Sequence, residues 1–118
     1  MKKFAPNIFR QRLLIEGFYK IKIDEEVIKD YFRTITKALK LRMYGKPIIF
    51  SPSGIGKKEN QGYDAFVPLI DSGISVYVWS NAKFFSGVIY TCKGFNKKRA
   101  IFVTRKFFKI DRMMAKSF

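Results

Sequence analysis

The chain has 118 residues, of which 47% are hydrophobic and 17% aromatic, and its formal net charge is +15. It has no histidine and one cysteine, Cys92, which argues against a zinc or redox-metal site and excludes an intramolecular disulfide. The length predicts a single domain over residues 1–118. Because Arg10 and Arg12 interrupt the first apolar stretch and no long apolar run follows, we expect a cytoplasmic protein without a membrane span.

The excess of lysine and arginine has two interpretations. A strongly positive field favours acidic or phosphate-bearing partners, nucleic acid among them. Alternatively, the cations are spread over solvated faces, since the longest basic runs, Lys57-Lys58 and Lys97-Lys98-Arg99, are short. No sequence motif of a known RNA- or DNA-binding module accompanies the charge.

The first part of the chain predicts a strand followed by a helix. Residues 13–23 alternate near their end as a half-buried strand does. Asp24 is a suitable helix N-cap, and two glutamates follow it where the helix dipole favours acidic side chains. Apolar residues then recur at helical spacing as far as Leu39, which predicts an amphipathic helix of roughly five turns closed by Gly45 and Pro47.

The rest of the chain predicts several short strands around a loop. The predicted strands are 47–52, 63–71, 73–79 and 85–92, and the predicted loop is 51–63. Residues 96–108 fit a second helix, although Ala100-Ile101-Phe102-Val103 fits a strand equally well. The order β-α-β-β-β-β-α favours an α/β (α+β) domain of two layers, with a mainly antiparallel sheet and helices on one face.

The most specific pattern lies between residues 69 and 92. It reads Leu69-Ile70-Asp71-Ser72-Gly73-Ile74-Ser75-Val76-Tyr77-Val78-Trp79 and then Tyr90-Thr91-Cys92. This resembles the signature of prokaryotic S-adenosylmethionine decarboxylases, where an acidic residue and a serine precede a His-Leu/Ile-Ser/Thr-Ile-His-Thr-Trp strand and a hairpin ending in Phe-Thr-Cys. The spacing from serine to cysteine matches without a gap. Weaker similarities occur at 12–19 and 50–56.

The resemblance implies a self-processing pyruvoyl enzyme. In the family, the chain cuts itself before the serine, and the resulting pyruvoyl carbonyl withdraws electrons as carbon dioxide leaves, after which a cysteine returns a proton. Asp71 and Ser72 would then flank the cleavage site, with the pyruvoyl cofactor derived from Ser72 and Cys92 as proton donor. The alternative for Cys92 is a buried small hydrophobe. Phe50, Asp64 and Trp79 would contact the substrate, with Phe50 stacking on its adenine. The alternative is that Phe50 is a core residue and that Tyr77 and Trp79 are core or pocket aromatics.

Two departures from the family pattern concern processing. The family's two histidines in this strand are replaced by Gly73 and Tyr77, and Tyr77 takes the catalytic position of the assisting base. Imidazole is largely neutral at pH 7 and accepts a proton, whereas a phenol is already protonated there. The family's assisting serine is replaced by Gly56 in one alignment and by Asp64 in another. We therefore expect self-processing to be impaired or lost, with no cofactor if it is lost.

Three functions remain open from the sequence. The first is an S-adenosylmethionine decarboxylase-family protein of polyamine (spermidine) synthesis, a carboxy-lyase if it is processed, and homodimeric through its sheet as the family usually is. The second is a non-processing relative that binds a nucleoside-like ligand or partners an active decarboxylase. The third is a basic nucleic-acid-binding module on the same fold.

Overall fold

A computed structural model of the chain describes residues 4–51 and 61–118, and these form a six-stranded sheet with two helices. The elements in chain order are β1 (Gln11–Phe18), α1 (Glu25–Ala38), β2 (Ile48–Phe50), β3 (Gly62–Leu69), β4 (Ser72–Trp79), β5 (Phe84–Thr91), α2 (Lys97–Phe108) and β6 (Met113–Ser117). The strand order is β2-β3-β4-β5-β1-β6, and every neighbouring pair is antiparallel. The predicted two-layer antiparallel architecture is confirmed.

The hydrophobic core lies between the two helices and one face of the sheet. Along β4 the side chains of Ile74, Val76 and Val78 are buried, in the period of two expected of a strand with one covered face. The Tyr31 ring of α1 lies 5.9 Å from that of Phe85 in β5. Both helices cover the same face, because the Tyr31 ring also packs against Phe108 of α2, with centroids 4.7 Å apart.

One polar contact joins the helices inside this core. The hydroxyls of Tyr31 and Thr104 share a hydrogen bond of 2.8 Å, and both side chains are buried. Burial raises the pKa of the Tyr31 phenol well above its usual value, and the hydrogen bond to Thr104 opposes that rise. The tyrosine is therefore held neutral in the folded protein.

The opposite sheet face, here called the open face, is not covered by either described helix. It carries large apolar side chains that are more than a third exposed: Phe18, Ile48, Phe50, Phe66, Tyr77, Tyr90, Met114 and Phe118. The strand pairing places them on one side of the sheet, because directly paired residues of neighbouring strands face the same way. Neither described helix is long and apolar enough to cross a membrane.

Helix α1 begins where the sequence predicts and ends earlier. The Asp24 carboxylate accepts a hydrogen bond of 2.9 Å from the backbone of the first turn. The helix has 14 residues rather than five turns. It ends at Ala38 because Lys40 adopts a left-handed φ of 58°, and the backbone N–H groups of Lys40 and Leu41 bond back to carbonyls of the last turn. The prediction that Gly45 and Pro47 close the helix is wrong.

Two strand boundaries also differ from the prediction. The first strand ends at Phe18, and residues 19–23 lead to α1 without forming a strand. The turn between β3 and β4 occupies Ile70 and Asp71, so Ser72 begins β4 instead of standing in the turn. Residues 52–60 of the predicted loop lie outside the described residues.

The C-terminal region contains one element that the sequence left open and one that it did not predict. Of the predicted residues 96–108, Lys97–Phe108 form a helix, capped by the Asn96 side chain, which accepts a hydrogen bond of 2.9 Å from the Arg99 N–H. After it, β6 pairs with β1 along the edge of the sheet. Strand β6 is short and its burial comes from this long-range pairing, so no local pattern marks it.

Candidate active site at the turn between β3 and β4

The predicted cleavage site lies at a tight hairpin turn. Leu69 and Ser72 are paired across the hairpin, with Ile70 and Asp71 between them. Asp71 has a φ of 53°, in the left-handed region that side chains disfavour, although aspartate tolerates it better than most residues. The register of two eight-residue strands therefore holds the backbone just before Ser72 in an uncommon conformation.

Cys92 contacts both sides of the bond that would be cut. Its backbone N–H donates a hydrogen bond of 2.9 Å to the Ser72 hydroxyl. Its thiol lies 3.0 Å from the carbonyl oxygen of Asp71 and donates to it. The sequence predicts Asp71, Ser72 and Cys92 in one site. The structure brings them together where β4 begins and β5 ends.

The other predicted site residues lie elsewhere on the sheet. Phe50 pairs with Asp64, and Asp64 pairs with Tyr77, so the three form a row across β2, β3 and β4 on the open face. Tyr77 is five residues along β4 from Ser72, a distance of about 16 Å at the usual strand rise. A tyrosine that far away does not reach the Ser72 hydroxyl of its own chain.

Trp79 lies still farther from the cleavage site. It is seven residues from Ser72 along β4, a separation of about 23 Å. Its ring packs against Phe84 at the far end of the β4–β5 hairpin, with centroids 5.5 Å apart. Of the two positions aligned with the family's assisting serine, Asp64 belongs to the row with Phe50 and Tyr77, and Gly56 lies outside the described residues.

An aromatic ring occupies the place of the first missing histidine. A Cβ atom added at Gly73 would lie 2.5 Å from the ring of Phe66, a residue of the neighbouring strand. The ring therefore fills space that a side chain at position 73 would need. Phe66 was not predicted from the sequence, because it approaches position 73 only through a diagonal contact between β3 and β4.

Two depressions meet at Asp71 and Ser72. The first, of about 350 Å³, opens beside the open face, and its remaining lining residues are Phe66, Gly73, Ser75, Val88 and Tyr90. The second, of about 510 Å³, lies towards the end of α1, and its remaining lining residues are Lys40, Leu41, Arg42, Leu69, Ile70, Cys92 and Lys93. No local sequence pattern predicts the three cations of this second depression. They come together only because the end of α1 and the end of β5 meet there.

The described residues contain no cluster of histidine, cysteine, aspartate or glutamate suited to a metal ion. A pyruvoyl group, which the family pattern implies, would arise from Ser72 itself and needs no such cluster. The residues present fit that group in part: Ser72 starts a strand next to a left-handed peptide, and the Cys92 thiol faces the same carbonyl.

Comparison with known proteins agrees with the fold and the motif. The family model described as S-adenosylmethionine decarboxylase matches residues 17–118. A crystal structure of the adenosylmethionine decarboxylase from Aquifex aeolicus VF5 superposes with a TM-score of 0.74 and 17% sequence identity, covering 94% of this chain and 89% of that chain. No curated protein matches the chain. Since the family model extends over most of the sequence, the chain belongs to the S-adenosylmethionine decarboxylase family.

Proposed function

We propose that this chain is a member of the polyamine-linked decarboxylase family that keeps the cleavage site and the proton donor but processes itself slowly or not at all. The observation that carries the proposal is the double contact of Cys92, which holds the Ser72 hydroxyl and the Asp71 carbonyl. The sequence has no histidine to act as base beside them. If the chain is processed, it is a pyruvoyl-dependent carboxy-lyase acting on an S-adenosylmethionine-like substrate.

Cleavage would require the Ser72 oxygen to attack the Asp71 carbonyl carbon while another group takes the hydroxyl proton. The peptide C–N bond between Asp71 and Ser72 would then break as the leaving nitrogen takes up a proton, which gives an ester. The Cys92 N–H orients the hydroxyl, and the Cys92 thiol donates to the oxygen on which negative charge would develop. A thiol is a weak donor, so this stabilisation is small. Loss of a general base typically costs about 10²- to 10⁴-fold in rate. This chain keeps the Cys92 contacts that position the reacting atoms, but it has no histidine to take the Ser72 proton.

A pyruvoyl group at residue 72 would supply a carbonyl that withdraws electrons while carbon dioxide is lost. The chain's own contribution at that stage is the Cys92 thiol, whose sulfur lies 3.0 Å from the carbonyl oxygen of the preceding residue. That position allows the thiol to hold a proton for the product. Phe66 and Tyr90, which line the depression beside Ser72, offer flat apolar surface to the rest of the substrate.

We also propose that two copies pair through the open face. Several exposed large apolar side chains on one sheet face are typical of an interaction site, and a chain of this size benefits from further burial. Asp64 and Tyr77 are too far from Ser72 to act within one chain, whereas facing sheets would bring them towards the Ser72 of a second copy. An active decarboxylase of the same fold is the alternative occupant of this face.

The proposal on processing is tested by the intact mass of the purified protein. Cleavage between residues 71 and 72 would leave fragments of 71 and 47 residues. We expect a predominant single species of 13.8 kDa, matching a Ser72→Ala control that lacks the attacking hydroxyl. Rapid and complete conversion of the natural chain into the two fragments, with the control intact, would contradict the proposal.

A second candidate function rests on the outer surface of α2. Residues 93–110 contain seven lysines and arginines and no acidic residue, and Phe102 is 62% exposed among them. Cations around an exposed ring suit single-stranded nucleic acid, which combines phosphate contacts with base stacking. Fluorescence anisotropy with a labelled 20-nucleotide RNA at about 50 mM salt tests this, because electrostatic binding is strong at low salt. A flat signal there would dismiss this function.

A further inference from the structure

We infer that the ligand of the candidate site carries an anionic group, and that the site prefers a neutral thioether nucleoside over the corresponding sulfonium. The inference rests on the proposed function, because it concerns the ligand that would lie at Ser72. The family's name denotes a substrate with a fixed positive charge on sulfur. In this chain, three cationic side chains line one of the two depressions at Ser72.

The cations belong to one depression. Lys40, Arg42 and Lys93 line it together with Ser72 and Cys92. The Lys93 ammonium lies 3.5 Å from the Lys40 carbonyl oxygen, so its charge is held close to the end of α1. Among the described lining residues, Asp71 is the only carboxylate, so these residues carry an excess of two positive charges.

In the part of the chain that the structure describes, no acidic side chain forms an ion pair with these cations. The ion pairs of residues 4–51 and 61–118 join Lys20 to Asp111, Lys29 to Glu26 and Arg33 to Asp30. None of them includes a cation of the depression. All three of these cations are on exposed residues, so water and salt weaken but do not remove their field.

The expected size of the effect follows from Coulomb's law. At about 8 Å, and with an effective dielectric constant between about 20 and 80, each excess unit charge changes the affinity for a charged group by roughly 2- to 30-fold. Two excess cations therefore disfavour a sulfonium by several-fold at least. The same field favours a carboxylate or phosphate.

The neighbouring depression accepts the remainder of such a ligand. It shares Asp71 and Ser72 with the cationic one and is lined by the rings of Phe66 and Tyr90. The faces of these rings attract cations as well as flat apolar groups, so this side does not reject a sulfonium. Selection against positive charge comes from the lysines and the arginine.

Calorimetric titration of the full-length protein with two nucleosides tests the inference. S-adenosylmethionine and S-adenosylhomocysteine differ by one methyl group and by the charge on sulfur. At about 50 mM salt we expect the thioether to bind at least about 5-fold more tightly, and the ratio to fall towards one at about 1 M salt, where the screening length is about 3 Å. Tighter binding of the sulfonium would overturn this inference and leave the proposed function standing. Binding of neither nucleoside would also overturn this inference, whereas the proposed function is judged separately by the intact mass of the same protein.

Charge variants locate the source of the preference. The double variant Arg42→Gln/Lys93→Gln should reduce the ratio to about 2-fold or less. The matched control is Lys22→Gln/Lys83→Gln, which removes the same charge from a depression beside Tyr19 and Ser80, at the opposite end of β4. We expect the control to keep the ratio of the natural chain. An equal reduction in both variants would assign the preference to overall charge and overturn the inference.

Discussion

At the scale of single residues, the chemistry at Ser72 depends on which side chain can take its proton. Within one chain, Cys92 donates hydrogen bonds to the Ser72 hydroxyl and to the Asp71 carbonyl oxygen. These bonds orient the reacting atoms, but they do not remove the hydroxyl proton. Asp64 and Tyr77 are directly paired on β3 and β4. Tyr77 takes the position of a family histidine, and Asp64 takes that of the family's assisting serine in one of the two alignments. If pairing through the open face brings these two positions to the Ser72 of a second copy, substitutions at 64 and 77 test whether a restored serine and histidine speed processing.

The double variant Tyr77→His/Asp64→Ser should accelerate cleavage by about 100-fold or more, the usual contribution of a positioned base. The imidazole is largely neutral at pH 7 and accepts the proton that a phenol does not. The measurement is the rate at which the 71- and 47-residue fragments appear by mass spectrometry. Tyr77→Phe/Asp64→Ser is the matched control and should stay intact. Equal rates in the two variants would show that residue 77 does not supply the base.

The hydrogen bond between Tyr31 and Thr104 gives a prediction on stability and pH. Tyr31→Phe leaves the buried Thr104 hydroxyl without this partner, and we expect the free energy of unfolding to fall by about 1–2 kcal/mol at neutral pH. Because burial raises the pKa of Tyr31, the folded state keeps its proton above pH 10 while the unfolded state loses it. The stabilising effect is complete below about pH 10 and declines as the pH rises further.

The stability of the natural chain should therefore approach that of the variant near pH 11, since ionisation of the unfolded tyrosine lowers stability by about 1.4 kcal/mol per pH unit above its pKa. Urea unfolding at several pH values measures this. A constant difference between the two proteins from pH 7 to pH 11 would contradict the prediction.

At the scale of elements, local patterns predicted those parts of the fold whose determinants lie nearby in the chain. The Asp24 cap and the apolar period fixed the start and buried face of α1. Its end depended on Lys40 in a left-handed conformation, where the sequence suggested a glycine. Strand β6 exists only through its pairing with β1, so its five residues carry no local pattern.

The same distinction applies to the candidate site. Asp71, Ser72 and Cys92 were predicted because a motif with fixed spacing describes them. Phe66 and the cations of the second depression were missed, since they approach Ser72 through strand pairing and through the meeting of α1 with β5. For Tyr77 and Asp64 the reverse holds. The family pattern assigned them to the site, whereas strand geometry separates them from Ser72 within the chain.

Gly62, the first residue of β3, tests how closely β3 packs against β4. A Cβ at Gly62 would lie 1.8 Å from the Val78 carbonyl oxygen, a backbone atom that cannot move without breaking the pairing of β3 with β4. Gly62→Ala should lower the free energy of unfolding by about 3 kcal/mol or more. Gly94→Ala is the control, because its Cβ would have its nearest neighbour, in Phe9, at 4.0 Å. Similar urea midpoints for both variants would contradict the packing described for Gly62.

At the scale of the whole molecule, the open face determines the proposed assembly. Phe66→Glu places a charge on that face and should convert a dimer to a monomer in sedimentation velocity, because burying an unpaired carboxylate is costly. Phe102→Glu is the control, since that ring is 62% exposed on α2 and lies away from the open face. The natural chain sedimenting as a monomer at micromolar concentration, or dissociation of the control alone, would argue against pairing through the sheet.

The position of the β3–β4 turn in the strand order has a consequence for the two products of a cut at Asp71. The first product would hold β1, α1, β2 and β3, and the second would hold β4, β5, α2 and β6. In the sheet, β1 lies between β5 and β6, so a strand of the first product is enclosed by two strands of the second. The products are interlocked and do not separate unless pairings on both sides of β1 are broken. A nick at this turn would thus change the connectivity of the polypeptide while leaving its architecture in place, and unfolding would become a dissociation governed by mass action.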